Sequence, residues 1–148
     1  MNIYFICSGN TCRSPMAEAL LRAKPLPHVE VRSAGLMTVD GLPMSDHAKT
    51  LVTKHDLPHT PFSHALTEED IEWADLILTM TTSHEQMLHQ LFPESKEKVM
   101  TLKRFVGEET FDVADPFGGS LEQYEATFHE LQQLVDRLIE RLQKEEEK

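Results

Sequence analysis

The chain has 148 residues, enough for one domain with its own core, and we expect a single domain over residues 1–148. Its residues are 40% hydrophobic and 26% charged, as in soluble globular proteins, and no apolar run approaches the length of a membrane-spanning helix. The formal net charge of −11 argues against nucleic acid and anionic membranes as partners.

The first predicted elements are a buried strand, a short loop and a helix in direct succession. The apolar run from Ile3 to Ile6 predicts the strand, the small residues from Cys7 onward predict the loop, and an apolar-periodic helix follows and ends near Ala23. Such a junction directs backbone N–H groups and the positive end of a helix dipole at whatever the loop holds. The loop therefore suits an oxyanion.

The remaining predicted elements alternate between strands and helices. In chain order they are a strand over residues 29–33, a helix from Ser45, a short helix from Thr67 to Trp73, a buried strand over 75–80, a helix over 82–92, a strand over 99–102, a loop over 112–120 and a last helix from Ser120. Capping-box patterns begin at Thr67, Thr82 and Ser120, and the charged tail over 145–148 is expected to fray.

This alternation predicts an α/β fold. It is a three-layer sandwich in which a four-stranded parallel sheet is flanked by about five helices. The phosphate-binding loop follows strand 1, at the carboxyl end of that strand, where ligands bind in open α/β sheets.

The loop combines a nucleophile with an oxyanion cradle in the run Cys7-Ser8-Gly9-Asn10-Thr11-Cys12-Arg13-Ser14-Pro15. A helix N-terminus and a guanidinium both favour a thiolate, so we expect Cys7 to be ionised at neutral pH. The planar fork of Arg13 matches two oxygens of a phosphoryl group. Gly9 and Asn10 are residue types that tolerate the positive φ angles of a loop that curls its amides inward.

Three motifs resemble the low-molecular-weight protein-tyrosine-phosphatase family. They are C-x5-R-S-P after the first strand, Arg32-Ser33-Ala34-Gly35 after the second, and Asp115-Pro116-Phe117-Gly118-Gly119-Ser120 before the last helix. The motifs occur in the family's order, and the likeness covers nearly the whole chain. The resemblance implies the strand order 2-1-3-4 and a pairing of Asn10 with Ser33 that braces the loop.

The residues and the resemblance together predict one phosphatase site. Cys7 attacks phosphorus and Arg13 holds the phosphoryl oxygens, while a general acid must come from another segment. An Asp-Pro pair alone indicates only a turn; the resemblance implies that Asp115 is this acid and later the base that activates water, with Asp112 as the alternative. The residues predicted to bind the substrate are Ser8, Gly9, Asn10, Thr11, Cys12, Arg13, Ser14 and Phe117. The eight histidines show no metal-ligand spacing, and neither a metal nor another cofactor is predicted.

Ser14 and Cys12 carry further expectations. Ser14 is expected to cap the first helix, with Pro15 in its first turn, and its hydroxyl is in reach of the Cys7 sulfur. Cys12 lies five residues from Cys7 in a curled loop, so the two sulfurs are candidates for a bridge. We expect peroxide to convert Cys7 to a sulfenic acid and Cys12 to close a protective disulfide, as the resemblance also implies. The alternative is that Cys12 only packs.

Two positions distinguish this chain from the tyrosine phosphatases of the family. Those enzymes usually carry a bulkier aliphatic residue in place of Thr11 and an aromatic pair after the Asp-Pro. At both places this chain is similar to the bacterial protein-arginine phosphatases instead. A flat, polar guanidinium requires hydrogen-bond acceptors, which Asp115 supplies, and Phe117 is a candidate to cover one face of it.

We therefore predict hydrolysis of phosphoarginine in proteins. A protein-tyrosine phosphatase is the alternative within the family, and a non-catalytic phosphoprotein-binding module is the alternative of another class. An arsenate reductase needs two further cysteines downstream, and none follows Cys12.

The expected partners are phosphorylated protein substrates. Two cysteines in a chain without a signal peptide indicate a reducing cytoplasm rather than a disulfide framework. We expect a monomer that binds neither nucleic acid nor membranes. The resemblance implies opposition to a bacterial protein-arginine kinase in stress and protein quality control.

Overall fold

The computed structural model describes residues 1–146, which form four strands, six α-helices and one 3-10 helix. The elements in chain order are β1 (Asn2–Cys7), α1 (Arg13–Arg22), β2 (Glu30–Gly35), α2 (Asp46–Lys54), α3 (Glu68–Trp73), β3 (Leu76–Thr79), α4 (Thr82–Leu91), the 3-10 helix (Pro93–Lys98), β4 (Val99–Thr101), α5 (Leu102–Phe105) and α6 (Leu121–Glu146). None of the helices described is long and apolar enough to cross a membrane.

The four strands form one parallel sheet in the order β2-β1-β3-β4, as the family resemblance implies. β1 lies inside the sheet, with Ile3 beside Val31 of β2 on one side and Leu76 of β3 on the other. Cys7 is the last residue of β1 and pairs with Gly35. The cysteine therefore lies at the carboxyl edge of the sheet, next to a central strand.

Helices cover both faces of the sheet, which confirms the three-layer α/β prediction. Ile3 and Phe5 of β1 belong to a core cluster with α1, α2 and α6, whereas Tyr4 and Ile6 belong to a second cluster with α3 and α4. This alternation follows from the period of two along a strand. The buried stripe of α6 consists of Tyr124, Phe128, Leu131, Leu134, Val135, Leu138 and Leu142.

The start of α1 differs from the prediction. Cys12 is the residue before the helix, and among the residues described no side chain caps it. Ser14 is the second helical residue, and its hydroxyl contacts the Cys7 sulfur instead. The capping role predicted for Ser14 is therefore wrong, and its contact with the sulfur is confirmed.

The cap of α4 lies one residue earlier than predicted. The Thr81 hydroxyl accepts from the backbone N–H of His84 at 3.2 Å, so Thr81 rather than Thr82 is the cap. The Thr82 hydroxyl donates to the Asp112 carboxylate at 3.0 Å. Thr82 with Glu85 fits the capping-box pattern, whereas Thr81 has His84 three residues on and caps the helix with its hydroxyl alone.

The other two capping boxes are confirmed. Thr67 and Asp70 exchange both bonds at the start of α3, and Ser120 and Gln123 do the same at the start of α6. The 3-10 helix and α5 were not predicted, because elements of six and four residues carry too little periodicity and neither begins with the capping-box pattern that indicated α3. Helix α6 continues through 145–146, where fraying was expected, and residues 147–148 lie outside the described residues.

Candidate active site

The phosphate-binding loop runs from the end of β1 to the start of α1, so regular elements hold both of its ends. Cys7 closes β1 and Arg13 opens α1, and the two residues are only 3% and 5% exposed. Asn10 has a φ angle of 56°, the left-handed conformation that asparagine tolerates. Gly9 does not have a positive φ angle, so the reason predicted for its presence is wrong.

Asn10 braces the loop from its inner side. Its amide nitrogen donates to the hydroxyls of Ser14 at 2.8 Å and Ser33 at 2.9 Å, and its amide oxygen accepts from the backbone N–H of His64 at 2.9 Å. Ser33 donates in turn to the buried carboxylate of Glu18 at 2.6 Å. The expected pairing of Asn10 with Ser33 is present, and it ties the loop to α1 and β2.

Gly35 explains the last position of the Arg-Ser-Ala-Gly motif. A Cβ atom on this residue would lie 2.6 Å from the carbonyl oxygen of Ser8 and 3.1 Å from the backbone nitrogen of Asn10. Both atoms belong to the backbone of the phosphate-binding loop, which has no room to retreat without distorting the site. The close approach of β2 to the loop therefore requires glycine.

The Ser14 hydroxyl donates to the nucleophile. Its oxygen lies 2.9 Å from Cys7 Sγ and accepts from the Asn10 amide; because a thiolate has no proton to give, the Ser14 proton forms the bond when Cys7 is ionised. The backbone N–H of Asn10 also points at the sulfur, at 3.3 Å. Both donors stabilise a thiolate more than a thiol.

Burial opposes ionisation of Cys7. Removal from water raises the pKa of the thiol, whereas the Ser14 hydroxyl and N–H, the Arg13 charge and the Asn10 N–H lower it. Burial is the largest of these effects, which runs against the prediction that Cys7 is ionised at neutral pH. The N-terminus of α1 also lowers the pKa of Cys7, as Ser14, Arg13 and Asn10 do. A thiolate in this loop therefore depends on these surrounding groups.

Replacing Ser14 by alanine is expected to move the ionisation of Cys7 to higher pH, because one of the groups that lower the pKa of Cys7 is lost. A hydrogen bond to a charged group is worth ~1.5 kcal/mol, which corresponds to about one pH unit. The measurement is the rate at which iodoacetamide alkylates Cys7, followed by mass spectrometry from pH 5 to pH 10.

The matched control is Ser45→Ala, since Ser45 accepts a hydrogen bond from Cys12 at 3.4 Å rather than from the nucleophile. In Ser45→Ala, the pH dependence of Cys7 alkylation is expected to coincide with that of the parent chain. An unchanged profile for Ser14→Ala would show that the hydroxyl does not stabilise the thiolate.

Arg13 connects the loop with the segment that carries the predicted acid. One guanidinium nitrogen donates to the carbonyl oxygen of Val113 at 2.9 Å, and the other lies 3.6 Å from Asp115 Oδ2. The Asp115 side chain is 55% exposed, and its other oxygen accepts from the backbone N–H of Phe117 at 3.0 Å. The carboxylate is thus held beside the guanidinium and remains open to solvent and substrate.

Asp112, the alternative acid, is engaged elsewhere. Its Oδ1 atom accepts from the backbone N–H of Thr82 at 2.7 Å and from the Thr82 hydroxyl at 3.0 Å. These bonds tie the loop before α6 to the start of α4. The geometry therefore favours Asp115 as the acid and gives Asp112 a bracing role.

A cavity of about 230 Å³ opens above Cys7. Its lining residues are Cys7, Ser8, Gly9, Thr11, Cys12, Arg13, Met37, Asp115 and Phe117. Asn10 and Ser14, which were predicted to bind the substrate, are not among them, because their side chains face inward and brace the loop. Phe117 is 76% exposed and stands at the rim of this cavity.

Met37 and His84 belong to the surroundings of the site but were not predicted. Met37 lines the cavity and is 70% exposed, but nothing in the sequence distinguished it from Leu36, Val39 and Leu42 in the same loop after β2. His84 is buried, and its Nε2 atom lies 2.8 Å from the hydroxyl of Ser8. A distance of 76 positions separates these two residues in the sequence, so no local pattern relates them.

Cys12 is a free, buried cysteine, as is Cys7. Its sulfur lies 3.2 Å from the hydroxyl of Tyr124 and 3.4 Å from that of Ser45. These contacts hold the Cys12 thiol between the phosphate-binding loop and two helices. The disulfide between Cys7 and Cys12 stays a prediction.

A parallel α/β sandwich that places a cysteine below an anion-binding loop, with an arginine at its end and a carboxylate at its mouth, defines a cysteine-dependent phosphatase. The sequence model of the low molecular weight phosphotyrosine protein phosphatase family matches residues 2–148. The chain belongs to this family.

Relatives of the chain carry two different names. A protein-arginine-phosphatase of Geobacillus stearothermophilus is 49% identical over 144 residues, which cover 97% of this chain and 97% of that protein. The low molecular weight protein-tyrosine-phosphatase PtpB of Staphylococcus epidermidis is 41% identical over 138 residues, or 93% of this chain and 96% of that protein. The solved structure of the YwlE arginine phosphatase from Geobacillus stearothermophilus superposes with a TM-score of 0.94 at 49% identity, covering 97% and 94% of the two chains.

Proposed function

We propose that the chain is a protein-arginine phosphatase that hydrolyses phosphoarginine in proteins through a phosphocysteine on Cys7. The observation that carries this proposal is the wall of the cavity, where Thr11 presents a short, hydroxyl-bearing side chain and Asp115 presents an exposed carboxylate. A planar guanidinium is recognised by such acceptors. The 49% identity to a protein named for this activity supports the same choice.

The first chemical step transfers the phosphoryl group to sulfur. The Cys7 thiolate attacks phosphorus, the bond between phosphorus and the guanidine nitrogen breaks, and Asp115 gives its proton to the departing nitrogen. Arg13 and the backbone N–H groups of the loop hold the equatorial oxygens as charge develops on them. Arginine leaves with its normal proton count, and the sulfur carries the phosphoryl group.

The second step returns the enzyme to its starting state. The Asp115 carboxylate takes a proton from water, the resulting hydroxide attacks phosphorus, and the sulfur–phosphorus bond breaks. Inorganic phosphate leaves, and the thiolate is again stabilised by the Ser14 hydroxyl at 2.9 Å. Cys7, Arg13 and Asp115 thus act in both steps, and water is the nucleophile of the second.

Phosphotyrosine is the alternative substrate within the family. The 41% identity to a protein-tyrosine-phosphatase favours it, as does the exposed ring of Phe117 at the rim of the cavity. Rates of phosphate release from one peptide, prepared once with phosphoarginine and once with phosphotyrosine, test the proposal. A higher kcat/KM on the phosphotyrosine peptide would overturn it.

Replacing Thr11 by isoleucine is expected to lower kcat/KM for phosphoarginine about tenfold, because an added methylene narrows the cavity and the hydroxyl is lost. The rate on phosphotyrosine is expected to stay the same or rise. The measurement is kcat/KM on the two peptides described above. Equal losses on both substrates would refute a role of Thr11 in selectivity.

Two control variants separate size from polarity at this position. Thr11→Val keeps the shape of the side chain and removes the hydroxyl, whereas Thr11→Ser keeps the hydroxyl and removes the methyl group. If polarity selects the guanidinium, the valine variant loses phosphoarginine turnover and the serine variant keeps it. If size alone selects it, both variants behave like the parent chain.

The cellular setting is part of the same proposal. The chain acts as a monomer on phosphorylated proteins in a reducing cytoplasm, without nucleic acid as a partner. The net charge of −11 and the two free cysteines support this setting.

Oxidation of Cys7 to a sulfenic acid, trapped by Cys12, is the proposed protection against peroxide. Cys12→Ala should then lose the reversal of peroxide inactivation by dithiothreitol that the parent chain shows.

A further inference from the structure

A partly buried hydrogen-bonded chain lies behind the phosphate-binding loop, outside the residues that the proposed mechanism uses. It runs from the Ser8 hydroxyl to His84 Nε2 at 2.8 Å, and from His84 Nδ1 to the Thr81 hydroxyl at 3.0 Å. Ser8 follows the nucleophile and lines the cavity, whereas His84 is only 5% exposed and lies in the first turn of α4. The chain therefore connects the wall of the active site to a helix start.

The imidazole of His84 is neutral at neutral pH. Burial and then the positive charge of Arg13 lower the pKa of His84 to about 4, against the opposing effect of Asp112 and Asp115. A neutral imidazole has one N–H donor and one acceptor nitrogen. His84 therefore donates a hydrogen bond to one of its two neighbours, Ser8 and Thr81, and accepts one from the other.

The hydroxyl of Thr81 decides which nitrogen carries the proton. Its oxygen already accepts from the backbone N–H of His84 at 3.2 Å. If its proton is donated to His84 Nδ1, His84 Nε2–H donates to Ser8, and the hydroxyl proton left over is that of Ser8, which lines the cavity. In the other tautomer Nδ1–H would donate to the Thr81 oxygen, and the Thr81 proton would have no acceptor among the residues described.

We infer that His84 is a positioning residue that donates from Nε2 to the Ser8 oxygen and so turns the Ser8 hydroxyl proton into the cavity, where it binds an oxygen of the phosphoryl group. The bond to His84 occupies a lone pair of the Ser8 oxygen, and the single Ser8 proton is left for the ligand. The cradle thereby gains a side-chain donor beside its backbone amides and Arg13. The inference rests on the phosphatase chemistry proposed above, but not on the choice of phosphoarginine over phosphotyrosine.

A double-mutant cycle between Ser8 and His84 tests this role. Ser8→Ala and His84→Ala are each expected to lower kcat/KM about tenfold, as for loss of one hydrogen bond to a charged group. Because His84 acts through Ser8, the double variant should lose about tenfold as well, rather than the hundredfold of two independent residues. A second cycle uses the same variants and measures the dissociation constant of orthovanadate by calorimetry. Orthovanadate resembles the phosphoryl group, so this cycle reports binding of the anion without turnover.

Two conservative replacements supply the readout that a merely structural histidine would not give. Glutamine places an amide N–H near the position of Nε2 and should restore most of the activity, whereas asparagine places it near Nδ1, keeps the bond to Thr81 and should not. Thermal melting identifies any variant that fails to fold. If His84→Ala does so, the glutamine and asparagine variants, each combined with Ser8→Ala, complete the cycle.

The outcomes separate this inference from the proposed function. Additive losses, equal activity of the glutamine and asparagine variants, or a gain of activity in His84→Ala would overturn the role of His84. The last result would mean that Ser8 donates to the histidine instead. A wild-type chain that binds orthovanadate but hydrolyses neither peptide would refute the phosphatase function, and the orthovanadate cycle would still test the Ser8–His84 coupling.

Discussion

Replacing Cys7 by serine is expected to lower kcat by at least ~10⁴-fold, because removal of the group that forms the covalent intermediate removes the reaction path itself. A serine hydroxyl ionises far less readily than a thiol, and the donors around position 7 do not supply a base to deprotonate it. Ser14 and the backbone N–H of Asn10 donate toward the sulfur at 2.9 Å and 3.3 Å. They stabilise the Cys7 thiolate once it has formed, but they cannot take a proton from a serine hydroxyl.

The measurement pairs turnover with detection of the intermediate. Phosphate release is followed on both peptides, and acid-quenched samples are digested to locate a phosphoryl group on the peptide that contains residue 7. The parent chain is expected to carry it on Cys7. Cys12→Ser is the matched control, since it removes the other thiol of the cavity and should still form the adduct at Cys7.

The same experiment separates an enzyme from a binding module. Turnover by Cys7→Ser at a rate near that of the parent chain would refute the phosphocysteine mechanism. A parent chain that binds the phosphopeptides but is as inert as Cys7→Ser would instead identify a phosphoprotein-binding module. Cys7, Arg13 and Asp115 line one cavity, which argues for the enzyme, because a module that only binds has no use for a nucleophile and a proton donor.

The phosphate-binding loop was predictable because its chemistry is contiguous in the sequence. Cys7 and Arg13 are six positions apart, and the strand before them and the helix after them are fixed by local apolar patterns. The sheet also follows from its alternation of strands and helices, although its order came from the resemblance. Asn10 and Ser33 were paired by resemblance as well, since nothing in residues 10 and 33 alone indicates their 2.9 Å contact.

What was missed depends on contacts between distant segments. His84 reaches Ser8 because α4 follows β3, the neighbour of β1 in the sheet, and the sequence does not encode that adjacency locally. The capping-box pattern pointed to Thr82, but Asp112, 30 positions away, binds the Thr82 hydroxyl and Thr81 caps the helix instead. The pKa of Cys7 was misjudged for a similar reason: the charge and dipole are visible in the sequence, but the extent of burial is a property of the folded core.

Replacing Asp115 by asparagine is expected to lower kcat for phosphoarginine by about 10²–10⁴-fold, the usual contribution of a general acid. The departing guanidine nitrogen must be protonated, and asparagine has no carboxyl proton to give. The change is nearly isosteric, so the contact with the backbone N–H of Phe117 has an amide oxygen as its acceptor instead of a carboxylate. The loss should therefore reflect chemistry rather than a collapsed loop.

A substrate with a good leaving group divides the two roles of this carboxylate. p-Nitrophenyl phosphate needs little help from an acid, so Asp115→Asn should still transfer its phosphoryl group to Cys7. Hydrolysis of the phosphocysteine then lacks its base, and stopped-flow absorbance should show a burst of one equivalent of p-nitrophenol followed by a slow steady state. The parent chain is expected to show a smaller burst or none, because its second step is not impaired.

Asp112→Asn is the matched control, since the two aspartates lie three positions apart in the same loop and only one of them lines the cavity. Loss of the carboxylate that accepts twice from Thr82 is expected to lower the melting temperature and to leave the burst small. If the large burst appeared in Asp112→Asn and not in Asp115→Asn, Asp112 would be the proton donor. Asp115 would then neither give nor take a proton in the reaction. Its contact with Arg13 could act only through charge, by holding the guanidinium in place.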